Sequence, residues 1–425
     1  MNTEILGVIL QWVALVVLCY PLGRYIAKVY RGERTWLDFM APLERGIYKV
    51  CSIDPDEDMD WKKFLKALLM VNLFWFFWGM VLLCCQSWLP LNPDGNANQT
   101  PDLAFNTCIS FMVNCNLQHY SGETGLSYFT QLFVIMLFQF VTAACGMAAM
   151  AGIMKALAAK TTKAIGNFWV YLVKSTTRIL MPLSLLVGIL LVINGTPMSF
   201  DGKQTITTLE GQEQVISQGP TAAIVPIKQL GTNGGGYFGV NSSHPLENPN
   251  AFTNMLECWS ILIIPMAMAW AFGFYVRRRK LAAWIFGVML FAFTAGIFVS
   301  VPQEMGGNPN IDEMGIAQDL GSMEGKEIRI GSAASAVEIW PAEWLRMRSC
   351  STVMRLQRMT ISPRPISTPM PAASSEPRPS KTEGTSYPSS ERCAISLPGA
   401  NPSGTVSRIP EAPSAAMRSI VGSSL

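Results

Sequence analysis

The chain of 425 residues is short of charge: only 14% of its residues are Asp, Glu, Lys or Arg, against about 25% in an ordinary soluble domain. Its net charge of +3 is not gathered into a dense basic block, and it has only two histidines, His119 and His244, which read as loop residues. These shortages argue against a soluble enzyme of this size, a disordered chain and a nucleic-acid binder. The ten cysteines lack any C-x-x-C or zinc spacing, and most lie in or beside apolar stretches. They read as buried apolar residues, with no disulfide framework or metal site implied. G-x-x-x-x-G-K-[ST] is missing too, so the chain carries no ATP site of its own.

The charge is cleared from six windows: residues 5–23, 67–89, 124–154, 179–200, 258–276 and 281–303. Each reaches the roughly 18 residues of a membrane-spanning helix. One Lys or Arg at a helix centre costs about 2.5–3.5 kcal/mol on an insertion scale, so six vacancies are the mark of a bilayer as solvent. The third window, 31 residues long, would overrun a core of about 30 Å as one helix, so it is expected to tilt or to begin outside. On this reading the spans hold no ionisable residues.

The connections alternate. Residues 24–66 hold nine Lys or Arg, 86–125 none, 155–178 five, and the stretch from Gly195 to Glu257 only Lys203 and Lys228; 277–280 is Arg-Arg-Arg-Lys. Basic loops stay in the cytoplasm, which puts the N-terminus outside. The first span is not a cleaved signal, because Glu4 stands where a basic leader would and no A-x-A site follows.

Both sparsely charged connections share one grammar. Pro101 and Asp102 open an apolar stretch, 103–113, of half-membrane length; the uncharged string Asn114, Cys115, Asn116, Gln118 follows, then the turn Ser121-Gly122. The stretch 221–230 leads into Gly231-Thr232-Asn233-Gly234-Gly235-Gly236, then Asn241-Ser-Ser-His244. The order is span, half-helix, polar turn, span, twice over, which is an internal repeat. Passage of a dehydrated cation needs these parts. A half-helix aims its negative carbonyl end into the membrane, and an extended segment beyond it offers backbone carbonyls in place of water. Glycine gives those carbonyls their freedom, and Asn and Thr add oxygens without a trapping charge. Gly234 to Gly239 also matches G-x-G-x-x-G, but a dinucleotide site needs a strand and a βαβ unit around it. Ordinary surface loops are the plainer alternative.

The strings Leu230-Gly-Thr-Asn-Gly-Gly-Gly-Tyr-Phe238, Asn241-Ser-Ser-His-Pro245 and Glu247-Asn-Pro249 resemble the second pore segment of the potassium-binding subunit of Kdp-type ATP-driven potassium transporters. Gln118 with Tyr120-Ser-Gly-Glu-Thr124 resembles the first; Trp88-Leu-Pro-Leu-Asn-Pro93 and Met323-Glu-Gly-Lys-Glu327 are further matches, and the resemblance runs to about Gly331. It implies a potassium-channel-like, all-α polytopic membrane protein of the bacterial inner membrane, built from span–pore–span units around one K⁺ filter. It implies as partners a P-type ATPase subunit, which hydrolyses ATP and receives the ion, and two small membrane subunits. The filter positions carried over are Asn114, Cys115, Asn116, Gln118, Thr232, Asn233, Gly234 and Gly235. Cys115 departs from the family's usual Thr, Leu117 from Trp and His119 from a small polar residue. Altered ion affinity or selectivity is expected from the first of these.

The expected organisation is a first span with a basic cytoplasmic loop (1–66), a first span–pore–span unit with its connector (67–178), a second unit (179–280), a sixth span with an outside loop (281–335) and a tail (336–425). The tail holds 12 of the 27 prolines and none of the 21 phenylalanines, a disordered composition. Family members continue here with two more pore segments, so a frame lost near residues 332–337 and a truncated, out-of-frame ending are expected. Two alternatives stay open: a secondary cation transporter with repeats and broken helices, and a non-functional remnant lacking two of four pore segments.

Overall fold

The computed structural model describes residues 3–159, 163–315, 317–318, 321 and 330–334. The tail 336–425 and the Met323–Glu327 match lie outside them. In chain order the helices that build the fold are α1 (Thr3–Arg31), α2 (Ala41–Val50), α3 (Trp61–Cys84), α4 (Pro101–Met112), α5 (Tyr128–Ala158), α6 (Phe168–Ile193), α7 (Thr221–Leu230), α8 (Ala251–Tyr275), α9 (Arg279–Met305) and α10 (Pro309–Glu313). Among the described residues the strands are two short antiparallel pairs. β1 (Met59–Asp60) lies against β2 (Ala164–Gly166), and β3 (Gln204–Thr207) and β4 (Glu213–Ile216) form an exposed hairpin. The fold is all-α and polytopic: α1, α3, α5, α6, α8 and α9 are long and apolar enough to cross a membrane.

Local chemistry sets the helix ends. The Asp60 side chain accepts from Lys63 N at 2.7 Å to cap α3. At α8, Asn250 and Thr253 form a reciprocal capping box. The packing order follows from burial. Some 61% of the α8 window is buried, against 17% in α1 and α9, so α8 is the inner helix, with α1, α7 and α9 packed on it. α1 comes very close: a Cβ at Gly23 would lie 2.5 Å from Ala267 O. Leu69, Leu73, Phe77 and Val81 of α3 are exposed, which makes α3 an outer helix.

The windows locate all six spans, but five of the helices are longer than their windows, and this corrects two expectations. α6 starts at Phe168, where Asn167 Oδ1 caps Trp169 N at 3.0 Å, so most of the connection 155–178 is helix. Arg178 stands inside α6, on a π-helical turn (Thr176–Leu180). Its Nε meets Glu44 Oε1 at 2.5 Å, its Nη2 meets Glu44 Oε2 at 2.6 Å, and its Nη1 meets Asp38 Oδ1 at 2.6 Å. Glu257 is fully buried in α8. The spans therefore do hold ionisable groups. A charge can stay in an apolar helix when its hydrogen bonds are met, whereas a charge-free window ends at it.

Candidate ion-binding site

α4 and α7 are the half-length helices, and they end alike. Asn114 N donates to Phe111 O (3.2 Å) and Cys115 N to Ser110 O (3.0 Å). Thr232 N donates to Gln229 O (3.0 Å) and Asn233 N to Lys228 O (2.9 Å). Each bond in the second set repeats one in the first, 118 positions on. This is a doubly bonded helix end with a left-handed residue beyond the cap: φ is +58° at Asn114 and +57° at Thr232. Asn tolerates that conformation, but a β-branched Thr rarely does, and such strain persists mainly at functional sites.

Beyond these ends the two loops run against each other. Asn114 Nδ2 donates to Gly231 O at 3.1 Å, Gln118 Nε2 to Gly236 O at 2.9 Å, and Gly236 N back to Gln118 Oε1 at 3.2 Å. A Cβ at Gly235 would lie 2.6 Å from Phe111 Cζ and 3.3 Å from Asn116 O. All eight residues singled out in the sequence, Asn114, Cys115, Asn116, Gln118, Thr232, Asn233, Gly234 and Gly235, thus belong to one pair of abutting loops. Cys115 enters through its backbone.

Residues missed by the motif reading complete the site. On α5, Gln139 Nε2 donates to Gly235 O while Gln139 O accepts from Asn233 Nδ2 at 3.2 Å, and Thr142 Oγ1 lies 2.9 Å from Asn114 Oδ1. Uncharged polar residues within a charge-free span were the available signal. Lys228 corrects another expectation: counted as a loop charge, it is buried in α7, with Nζ 2.6 Å from Glu247 Oε2. Outside the spans, burial pushes the Tyr237 phenol upward, against the Ser217 hydrogen bond that lowers it, so Tyr237 stays neutral beside the second loop.

The oxygens left over matter most. Among the described residues, the backbone carbonyls of Asn114, Asn116, Thr232, Asn233 and Gly234 accept no hydrogen bond. The buried Asn116 side-chain amide has no partner at either atom, and Asn233 Oδ1 has none. Of these residues Asn116 and Asn233 are buried and the other three half-buried, and buried carbonyls are normally satisfied. A cluster of unspent oxygens at two half-helix carbonyl ends suits a dehydrated cation. A cavity of about 490 Å³ opens at the loops, with Asn114, Thr142 and Thr232 at its polar end and Met147, Met268 and Phe272 along its apolar walls.

The family of potassium-transporting ATPase A subunits matches residues 9–347. The potassium-transporting ATPase potassium-binding subunit of Bacteroides thetaiotaomicron is 76% identical over 337 residues, covering 79% of this chain and 59% of that relative. Those of Flavobacterium johnsoniae and Rhodospirillum centenum are 55% and 43% identical, again over 79% of this chain, and over 58% and 59% of their own lengths. The chain thus spans about three fifths of the length of the curated relatives it matches.

Proposed function

This chain belongs to the potassium-transporting ATPase A-subunit family, and we propose from that premise that it binds K⁺ from outside the cell in a carbonyl-lined filter and passes the ion on through the membrane. The filter residues are Asn114, Cys115, Asn116 and Gln118 in the first loop and Thr232, Asn233, Gly234 and Gly235 in the second. The observation that carries the reading is the pair of loops with matching helix ends 118 residues apart, in which the backbone carbonyls of Asn114, Asn116, Thr232, Asn233 and Gly234 accept no hydrogen bond among the described residues while side chains lock the loops together. Carbonyl oxygens can replace the water shell of a monovalent cation, and the absence of a carboxylate among the filter residues lets the ion leave again. The ATP-hydrolysing work falls to a P-type ATPase subunit, with two small membrane subunits completing an inner-membrane complex. The basic connections face the cytoplasm and the N-terminus lies outside.

Glu257 and Arg178 within spanning helices also give a secondary cation transporter something to couple to, and this keeps that second reading in play. Rb⁺ uptake in a K⁺-uptake-deficient bacterium separates the two. Uptake that needs the ATPase partner supports the proposal. Uptake by the chain alone supports the secondary transporter. Uptake in neither case overturns both and leaves a non-transporting remnant.

A further inference from the structure

The two loops are braced from behind in different ways. In the first, Ser110 of the half-helix accepts directly from Leu117 N, at 2.6 Å to Oγ. At the equivalent position, 118 residues on, the second half-helix carries Lys228. Its ammonium reaches Glu247 Oε2 at 2.6 Å, and the other oxygen of Glu247 accepts from Phe238 N at 2.8 Å. Glu247 is fully buried and Lys228 is 2% exposed. The carboxylate also lies along the loop backbone: a Cβ at Gly236 would meet Glu247 Oε1 at 2.5 Å. Ser242 ties the pair to α8. Its Oγ lies 2.7 Å from Lys228 Nζ and donates to Glu257 Oε2 at 2.5 Å, and Gln229 Nε2 reaches the same Glu257 oxygen at 2.7 Å.

We infer that Glu247 is a specificity-determining positioning residue: held by Lys228, it grips the Phe238 amide and walls Gly236, and so fixes how far the second loop's carbonyls can close on an ion. The inference rests on the proposed cation filter. A charge-assisted hydrogen bond inside a buried ion pair resists the small displacement that separates a K⁺-sized from a Na⁺-sized ring. A hydroxyl brace such as Ser110 is softer. Discrimination is therefore set in the second loop rather than shared equally.

The test is thermal unfolding of the purified full chain in detergent, titrated separately with KCl and NaCl. The readout is the ratio of the Na⁺ and K⁺ concentrations that give half of the maximal stabilisation. The double variant K228M/E247L removes both charges at similar volume, which avoids a lone buried charge. It is expected to lower the ratio about tenfold or more, the worth of one charge-assisted hydrogen bond. K228M/E247Q, whose amide oxygen can still accept from Phe238 N but without charge assistance, is expected to restore only part of that loss. A ratio unchanged in K228M/E247L, or equally low in both doubles, overturns the inference. If K228M/E247L does not fold, Gly236→Ala carries the test, because its methyl displaces the Glu247 carboxylate; an unchanged ratio there overturns it as well. A wild-type chain that K⁺ does not stabilise would instead sink the filter reading itself.

Discussion

Asn114 and Thr232 hold the same left-handed backbone position in two loops 118 residues apart, and the Asn114 amide reaches across to Thr232 Oγ1 at 3.5 Å and to Gly231 O at 3.1 Å. The contact joins the two half-helix ends at the top of the apolar cavity. Asn114 has two tasks there: it adopts a conformation most residues resist, and its side chain staples the loops.

Asn114→Ala is therefore expected to cost about 2–3 kcal/mol, combining a left-handed penalty of about 1 kcal/mol with the lost hydrogen bonds. Asn114→Gly keeps the backbone freedom and loses only the staple, so it is expected to lie between Ala and wild type. Thermal unfolding in detergent measures both. An Ala variant as stable as wild type would show that the staple contributes nothing.

Arg178 makes a second contact that local sequence does not announce. It joins α6 to Glu44 of the amphipathic α2, and both side chains are nearly buried, at 9% and 4% exposure. Arg178→Leu leaves Glu44 without its partner and is expected to destabilise by about 3–5 kcal/mol. Removing both, as R178L/E44L, is expected to cost much less, because no buried charge is then stranded: Asp38, which also loses Arg178, is 42% exposed and stays solvated. Equal losses in the single and double variants would mean that the pair acts through packing alone.

Asp38 gives the same cluster a pH dependence. Burial pushes its carboxyl up, but the Thr35 backbone N–H, the Arg178 guanidinium and the Thr35 hydroxyl outweigh that and hold it below the ordinary carboxylate range. A group depressed in the folded state contributes stability above its unfolded pKa, about 3.9 for Asp, and that contribution disappears as pH falls through the lower folded value. The stability advantage of wild type over Asp38→Asn is thus expected to be constant from neutral pH down to about pH 5 and to shrink steadily below about pH 4. Unfolding midpoints of the two proteins across pH decide it. A difference that grows on acidification would reverse the sign and defeat the assignment.

Much of this fold is legible in the sequence, because a bilayer strips charge from whatever crosses it. The half-helix 221–230 falls at the expected residues, and 103–113 is displaced by one or two. The start of α6 is missed by eleven residues, since Lys174 and Arg178 end the charge-free window and Arg178 looks like loop until its burial and partners are known. Lys228 misleads for the same reason. The repeat shows in the order of parts, and the filter positions come from the family resemblance. That Gln118 pairs with Gly236, or that Gln139 bridges Gly235 and Asn233, depends on side chains meeting across about 100 residues of chain, which no local pattern encodes.

Cys115, where the family resemblance leads to an expected Thr, is a test of the proposed filter. Its backbone amide is fixed to Ser110 O at 3.0 Å, so Cys115→Thr is expected to keep the loop conformation while restoring a hydroxyl. Its apparent K⁺ or Rb⁺ affinity is expected to shift by about three- to tenfold, the range of one neutral hydrogen bond. Rb⁺ uptake kinetics, or ion-dependent unfolding of the purified chain, measure it. Unchanged values in both would remove Cys115 from the determinants of affinity.

Gly235 tests whether the loops must touch. It has no room for a side chain: a methyl would come 2.6 Å from the Phe111 ring and 3.3 Å from Asn116 O. Phe111 is fully buried beneath the first loop and has nowhere to retreat. Gly235→Ala must therefore push the second loop away, stretching the Gln139 to Gly235 hydrogen bond and the Gln118 pairing with Gly236 together. Overpacking of this kind costs about 1–3 kcal/mol, which a protein this large can survive, so the variant is expected to fold. Cation binding should suffer far more than stability, because oxygens moved outward by even part of an ångström no longer replace the water shell. K⁺-dependent stabilisation is expected to vanish in Gly235→Ala while unfolding without K⁺ shifts only modestly. Restoring space with F111L in the same chain should recover part of the K⁺ response. If Gly235→Ala keeps the full response, the two loops do not form one site.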